Sequence, residues 1–341
     1  MSKINVDVCC GLAWGDEAKG KIVAYLSNTK AYDYVCRWAG GNNAGHTIYI
    51  NNKKYKTHLI PSGVFFNTKS IIGPDCVIEK EGFLSEIKYL KENGFDTSLI
   101  KVSPKCHVVQ KEHINEDKQK YATTQGSTSR GIAPCYRDKY ARLGTRVGDE
   151  DNISFFKEYI WDEKLQGNVL CEGAQGYWLD INQGNYPYVT SSTTLPYGAC
   201  SLGFTTHDIN RIYGAAKIYD TRSGIDTDFP ESLFLDEELQ KVGVIGKEFG
   251  VTTGRKRKVN WLNLDKLSIA VKTTGTTHCI ISKTDILEKV GIFKLFYKSK
   301  EYSFDSLVNM KLFISKVLKE ECNYLKEIIY SDNVETIENL N

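Results

Sequence analysis

Residues 4–10, INVDVCC, form a short run rich in β-formers, the stretch from Gly11 to Gly20 is punctuated by glycine, and residues 21–26 have helical character. A strand that passes through a glycine-rich loop into a helix commits the chain to an α/β arrangement. Inside the loop, Gly15-Asp16-Glu17-Ala18-Lys19-Gly20-Lys21 matches the G-x-x-x-x-G-K core of a phosphate-binding loop. Its backbone N–H groups and the dipole of the following helix suit an anion. Ile22 stands where an ordinary loop of this kind carries a Ser or Thr for magnesium. Asp16 lies among donors suited to anions, which points either to a magnesium ligand or to a base acting on a bound substrate.

Similar apolar runs recur at 70–72, 168–171, 211–219 and 278–282, with loop or helical segments between them. That alternation predicts a P-loop NTPase-like α/β fold: a central, mostly parallel sheet flanked by helices, with long active-site loops beyond the carboxyl ends of its strands. No repeat or low-complexity linker divides the 341 residues, so we expect one domain. A short helical region is expected near 150–167, and a helix and last strand over 305–332. Lys and Arg number 44 against 42 Asp and Glu, a balance that argues against an electrostatic nucleic-acid or membrane binder. No apolar run is long enough to span a membrane, and the segment MSKINVDVCC lacks the pattern of a signal peptide, so a cytoplasmic protein is expected (host cytoplasm if viral). The ten cysteines are scattered with no CxxC pair and read as reduced thiols, Cys9 and Cys10 as small buried side chains in the first strand.

A second cluster, residues 37–47, reads RWAGGNNAGHT. It is too polar for a core. His46 there suits a general acid or base, or a hydrogen-bond donor to a transferring phosphate. With WGDEAKGK and GGNNAGHT in place, the later EGAQG, YPYVTSS, TTGRKRK and SKTD occur in the order found in adenylosuccinate synthetases, and the chain resembles that family from Val8 to about Asp285.

The resemblance implies a ligase that condenses IMP with L-aspartate, driven by GTP hydrolysis through a 6-phosphoryl-IMP intermediate. By this resemblance Asp16, His46 and Lys19 are catalytic, and Asp16 with the carbonyl of Gly45 holds Mg2+. Asn43, Ser127, Thr128, Arg130, Arg142, Gln175, Thr190 and Arg255 bind the purine nucleotide, with Arg142 reaching the neighbouring site of a homodimer. Thr252, Thr253, Arg255 and Arg257 form the pocket for aspartate, where a guanidinium meets a carboxylate in bidentate fashion. GTP falls to Gly15, Glu17, Lys19, Gly20, Lys21, Gly45, His46, Thr47, Arg257, Lys283, Asp285 and Ser331. Asp285 is the base reader, since a carboxylate accepts both N1–H and N2–H of guanine.

Departures from the family pattern keep a related activity open, in which dGMP is aminated with aspartate using ATP or dATP. A catalytically silent nucleotide-binding regulator is a third reading. Ala39 stands where the family has Gln beside the nucleotide site and is expected to open space there. Residues 221–230, TRSGIDTDFP, bring two extra carboxylates that we expect near the ribose. The terminal STGP turn is represented only by Tyr330-Ser331-Asp332, and Ala18 replaces a loop glycine, which a negative φ would allow.

Overall fold

The computed structural model describes residues 4–249, 254, 256–333, 337 and 340. Its main sheet has nine strands. Across the sheet run Glu327–Ser331, His278–Ser282, Ile209–Lys217, Ile4–Gly11, Gly167–Glu172, Tyr34–Gly40, Lys69–Ile78 and Ile100–Val102, with His107–Val108 beside the end of Lys69–Ile78. Every pairing in it is parallel. Ile4–Gly11 sits near the middle, bonded to Gly167–Glu172 on one side and Ile209–Lys217 on the other.

Strand periodicity sends alternate side chains to opposite faces. Val6, Val8 and Cys10 enter the larger core, while Cys9 packs on the other face with Ile22, Val23 and Leu26 of the helix Lys19–Thr29. Both adjacent cysteines are buried, as expected. The helix Leu307–Glu321 buries Leu307, Met310, Ile314, Val317 and Leu318, a stripe spaced three or four residues apart, each side chain contributing about 1.5–3 kcal/mol by burial. It leads into the edge strand Glu327–Ser331. Between residues 149 and 167 lie the helix Glu150–Phe156 and a single turn at Lys157–Tyr159.

The run read as one strand over 211–219 is two. Ile209–Lys217 belongs to the main sheet, and Tyr219–Arg222 leaves it to pair antiparallel with Lys258–Asn263 in a second sheet that also holds Phe293–Tyr297 and Lys300–Phe304. Ile218, fully buried and donating its N–H to the Ser282 carbonyl, marks the crossing. An apolar run can serve two sheets because both bury it. No helix among the described residues is long and apolar enough to cross a membrane.

Candidate functional site

The carboxyl ends of the parallel strands open onto one cavity of about 710 Å³, within the size range of small-molecule sites. It gathers residues 14–21 after the first strand, 43–47 after the second, Gln175 after Gly167–Glu172, Ser282, Lys283, Asp285 and Ile286 at the end of His278–Ser282 and beyond it, and Asp332 and Asn333 after the last strand. A parallel sheet places these loops together because all its strands end on one side.

The phosphate loop is shaped from within. Glu17, fully buried, accepts the N–H groups of Ala13 (3.1 Å) and Gly15 (2.7 Å) and pairs with Lys19 Nζ at 2.6 Å. Only backbone is left to Glu17 for any ligand. A Cβ at Gly176 would lie 2.4 Å from Glu17 Oε1, so the EGAQG glycine makes room for this brace. Among the described residues no side chain caps the helix Lys19–Thr29, and Lys19, Gly20 and Lys21 of its first turn line the cavity. Gly20, in that turn, lets His46 approach: a Cβ there would meet His46 Cβ at 3.1 Å.

Ala18 adopts φ 67°, ψ 31°, the left-handed conformation, and not the negative φ that would make its methyl group harmless. The loop needs this turn, with Gly15 (φ 90°) and Asp16 (φ 62°) also left-handed, whether or not glycine supplies it.

Asp16 faces Arg257. Arg257 Nε lies 2.9 Å from Asp16 Oδ2, while Nη1 donates to Glu248 Oε2 at 2.6 Å. Glu248 also accepts from Lys217 Nζ (3.2 Å) and Tyr219 OH (2.7 Å), with Lys283 at 4.0 Å. Burial pushes the Glu248 carboxyl up, but Lys217, Arg257 and Lys283 outweigh it and hold its pKa at about 2. The acid is thus an anion that anchors Arg257 beside the phosphate loop.

His46 opens the strand His46–Ile50, lines the cavity and bonds through Nδ1 to Glu172 Oε1. Burial drives its imidazole below the ordinary value, against the pull of Glu172. Glu172 is itself fully buried. Burial raises its pKa, yet His46, Arg37 and the Ser62 N–H together hold it below the usual carboxylate range.

Of the other expected residues, Asn43, Ser127, Thr128, Gln175 and Thr190 all line the cavity, as do Gly15, Gly45, Thr47 and Lys283. The Oγ1 of Thr47 and the amide oxygen of Gln175 are buried there and have no hydrogen-bond partner among the described residues, as groups awaiting a ligand would be. Ser127 is already engaged: its hydroxyl donates to Asp117 Oδ1, whose other oxygen accepts the Gly131 N–H at 2.7 Å. Lys21 Nζ bonds Ser331 Oγ (2.6 Å) and the Asn333 carbonyl (2.5 Å), and burial lowers its pKa to about 8. Ser331 thus meets Lys21 without lining the cavity, while Asp332 and Asn333 form part of its wall. Asp285 stands in the first turn of Thr284–Val290, lines the cavity and pairs with Lys289 at 2.8 Å. Thr252, Thr253 and Arg255 lie outside the described residues.

Three expectations are corrected. Arg130 is exposed and lines a separate depression with Asn42, Lys56 and His58, because Ser129 (φ 58°) and Gly131 (φ 73°) turn the chain away from the main cavity. Arg142, expected to reach a neighbouring site and so not among these, is exposed at the end of the helix Ile132–Ala141 and does not line this chain's own cavity. Ala39 packs in the hydrophobic core and opens no space at the site. The extra carboxylates Asp226 and Asp228 both accept from Asn185 Nδ2 (2.9 and 2.6 Å), and Asp228 also pairs with Lys266 at 2.7 Å. Only Arg222 and Ser223 of that loop reach the cavity, the acids serving to fasten the loop.

Glu172, Glu248, Asp117 and Lys217 were missed as supporting residues. Glu248, Asp117 and Lys217 are buried charges in otherwise ordinary segments, and only the burial betrays them. Glu172 alone had a signal, its place at the head of EGAQG.

The adenylosuccinate synthetase family model matches residues 8–165 and 150–307. The chain belongs to the adenylosuccinate synthetase family. It is 36% identical over 342 aligned positions to the adenylosuccinate synthetase of Lysinibacillus sphaericus, covering 84% of this chain and 79% of that one. The structure of a fully ligated adenylosuccinate synthetase from Plasmodium falciparum superposes with a TM-score of 0.84 at 25% identity, covering 98% of this chain and 99% of the other. The succinoaminodeoxyadenylate synthetase of cyanophage S-2L, bound to dGMP and dATP, shares the fold with a TM-score of 0.68 at 18% identity, over 92% of this chain and 99% of that one.

Proposed function

We propose that this protein condenses IMP with L-aspartate to form adenylosuccinate, driven by GTP hydrolysis through 6-phosphoryl-IMP. The observation that carries the reading is the convergence, on one cavity, of an uncapped phosphate-loop helix, the Asp16 carboxylate and the Asp285 carboxylate. Asp16 takes the N1 proton of the purine, O6 attacks the γ-phosphorus and GDP departs. His46 and the loop donors face the charge that develops on the transferred group. Aspartate's amine then attacks C6, and phosphate leaves.

Arg257 has donors to spare for this second step. Its Nε and Nη1 are held by Asp16 and Glu248, and among the described residues none bonds Nη2, which leaves that nitrogen for a carboxylate or phosphate. The family's use of Mg2+ fits the oxygen donors here: the Asp16 side chain, 29% exposed, and the Gly45 carbonyl border the phosphate loop. A magnesium ion held by one carboxylate and substrate phosphates is ordinary for this metal, and when bound it would neutralise phosphate charge. Asp285 reads guanine in the donor nucleotide, and Gln175 reads the purine of IMP. In the same proposal the chain pairs as a homodimer, with the exposed Arg142 completing its neighbour's nucleotide site.

Purified protein with aspartate and Mg2+, offered IMP or dGMP and GTP, ATP or dATP, tests the reading by ultraviolet difference absorbance. Turnover is expected with IMP and GTP. No signal with IMP would sink the proposal, and a signal only with dGMP would transfer it to the 2-aminopurine reaction. Asp16→Ala is expected to bind nucleotide and lose turnover by about 10²–10⁴-fold, the usual worth of a positioned base.

A further inference from the structure

Glu172 is withdrawn from the cavity that His46 lines, yet its carboxylate is fully engaged. Oε1 meets His46 Nδ1 and accepts the Ser62 hydroxyl at 2.8 Å, and Oε2 accepts the Ser62 N–H at 2.7 Å. Its place is set by the end of the parallel strand Gly167–Glu172, and that of Ser62 by the turn Ser62–Phe66. Gly20 packs closely on His46: a Cβ there would lie 3.1 Å from the His46 Cβ, and one of them would have to give by a few tenths of an ångström. Among the described residues no hydrogen bond is made by His46 Nε2.

We infer that Glu172 is a positioning residue for the phosphoryl transfer: it fixes the ring orientation and the tautomer of His46, keeping the proton on Nδ1 so that Nε2 is the nitrogen presented to the transferred group. This rests on the proposed reaction for its consequence, but not for its geometry. A carboxylate has no proton to give, so Nδ1 must be the donor in this contact. The two Ser62 donors prevent the carboxylate from turning, and strand and turn prevent Ser62 from moving. The arrangement follows the general logic of a buried acid that orients a catalytic imidazole while leaving the substrate to the ring.

Glu172→Gln inverts the device. The Ser62 N–H can be accepted only by the amide oxygen, so the amide NH2 falls in the Oε1 position and donates to Nδ1. The Ser62 hydroxyl then rotates to accept. His46 is forced to carry its proton on Nε2, with no change in side-chain size.

The test joins spectroscopy to kinetics. Protein labelled with ¹⁵N-histidine, with the His46 signals assigned through His46→Asn, should show Nδ1 protonated in the parent and unprotonated in Glu172→Gln. In turnover with IMP, aspartate and GTP, Glu172→Gln should lower kcat by about 10²-fold, the lower end of what a positioned proton-transfer group supplies. The KM values should stay within about twofold. Added to His46→Asn, Glu172→Gln should cost nothing more, because it acts only through the ring. An unprotonated Nδ1 in the parent, an unaltered kcat, or losses that multiply in the double variant would each overturn the inference. Should Glu172→Gln not fold, the parent spectrum alone still decides where the proton is. Should the parent make no adenylosuccinate, the proposed reaction fails while the spectrum continues to judge Glu172.

Discussion

Asp220 carries an unusual burden, and its replacement by asparagine has a calculable effect. It lies in the strand Tyr219–Arg222, 5% exposed, with Oδ2 accepting the Asn263 N–H at 2.8 Å. Burial dominates, and that hydrogen bond with the charges of Lys217 and Lys266 offsets it only in part, so the carboxyl is raised from 3.8 to about 7. In the unfolded chain an aspartate titrates near ~3.9. Between these values the native protein keeps a proton that the unfolded chain has released, so stability falls as pH rises from about 4 to about 7 and levels off above. The gap of about 3 units, at about 1.4 kcal/mol per unit, amounts to about 4 kcal/mol. Asp220→Asn keeps an acceptor for the Asn263 N–H and removes the titration. Urea unfolding of both proteins, followed by tryptophan fluorescence from pH 4 to pH 8, should show the variant gaining about 4 kcal/mol on the parent across that range. The comparison cancels every other titrating group. A difference independent of pH would refute the reasoning, since Asp220 would then titrate alike in both states.

Ala18→Gly relieves a left-handed alanine, worth about 1–2 kcal/mol, and returns about 0.4–1 kcal/mol through the freer unfolded chain. The net gain of about 0.5–1 kcal/mol should raise the melting temperature by roughly 2 °C in calorimetry, and a lowered melting temperature would contradict the strain. In the proposed GTP site Asp285→Asn keeps one acceptor but loses the charge that would meet two guanine donors. Charged hydrogen bonds contribute about 1.5–3 kcal/mol, so kcat/KM with GTP should fall by about 10–100-fold while ATP is used no worse. Equal losses with both nucleotides would remove Asp285 from base reading.

Much of the site was legible in the sequence because its chemistry sits in contiguous loops. Gly15 to Lys21, Asn43 to Thr47 and Ser282 to Asp285 are each short enough to read as patterns, and a parallel sheet brings such loops to one edge by its topology alone. Arg130 and the carboxylates of 221–230 misled for the opposite reason. A residue type indicates what a side chain can bind, but two backbone dihedrals decide which cavity it faces, and a neighbouring Asn185 or Lys266 decides whether an acid is free. Ala39 likewise lies in a polar motif yet packs in the same core as Cys36 and Trp38, where a register shift between Arg37 and Ala39 breaks the strand's alternation.

The order of strand, glycine loop and helix, with apolar runs alternating along the chain, indicated from the sequence alone an α/β protein with an anion site, and the resemblance of its ordered motifs to adenylosuccinate synthetases implied a purine-nucleotide chemistry. What tertiary structure decided was the electrostatic state of that site: the Arg257 bridge from Asp16 to Glu248, the His46–Glu172 contact, and Lys21 held by the last strand. Those contacts join residues up to 310 positions apart. Their strength comes from burial, because removal from water magnifies the attraction between charges and makes an unpaired one costly. Local sequence sets which groups are present; only the packed fold sets how much water remains around them.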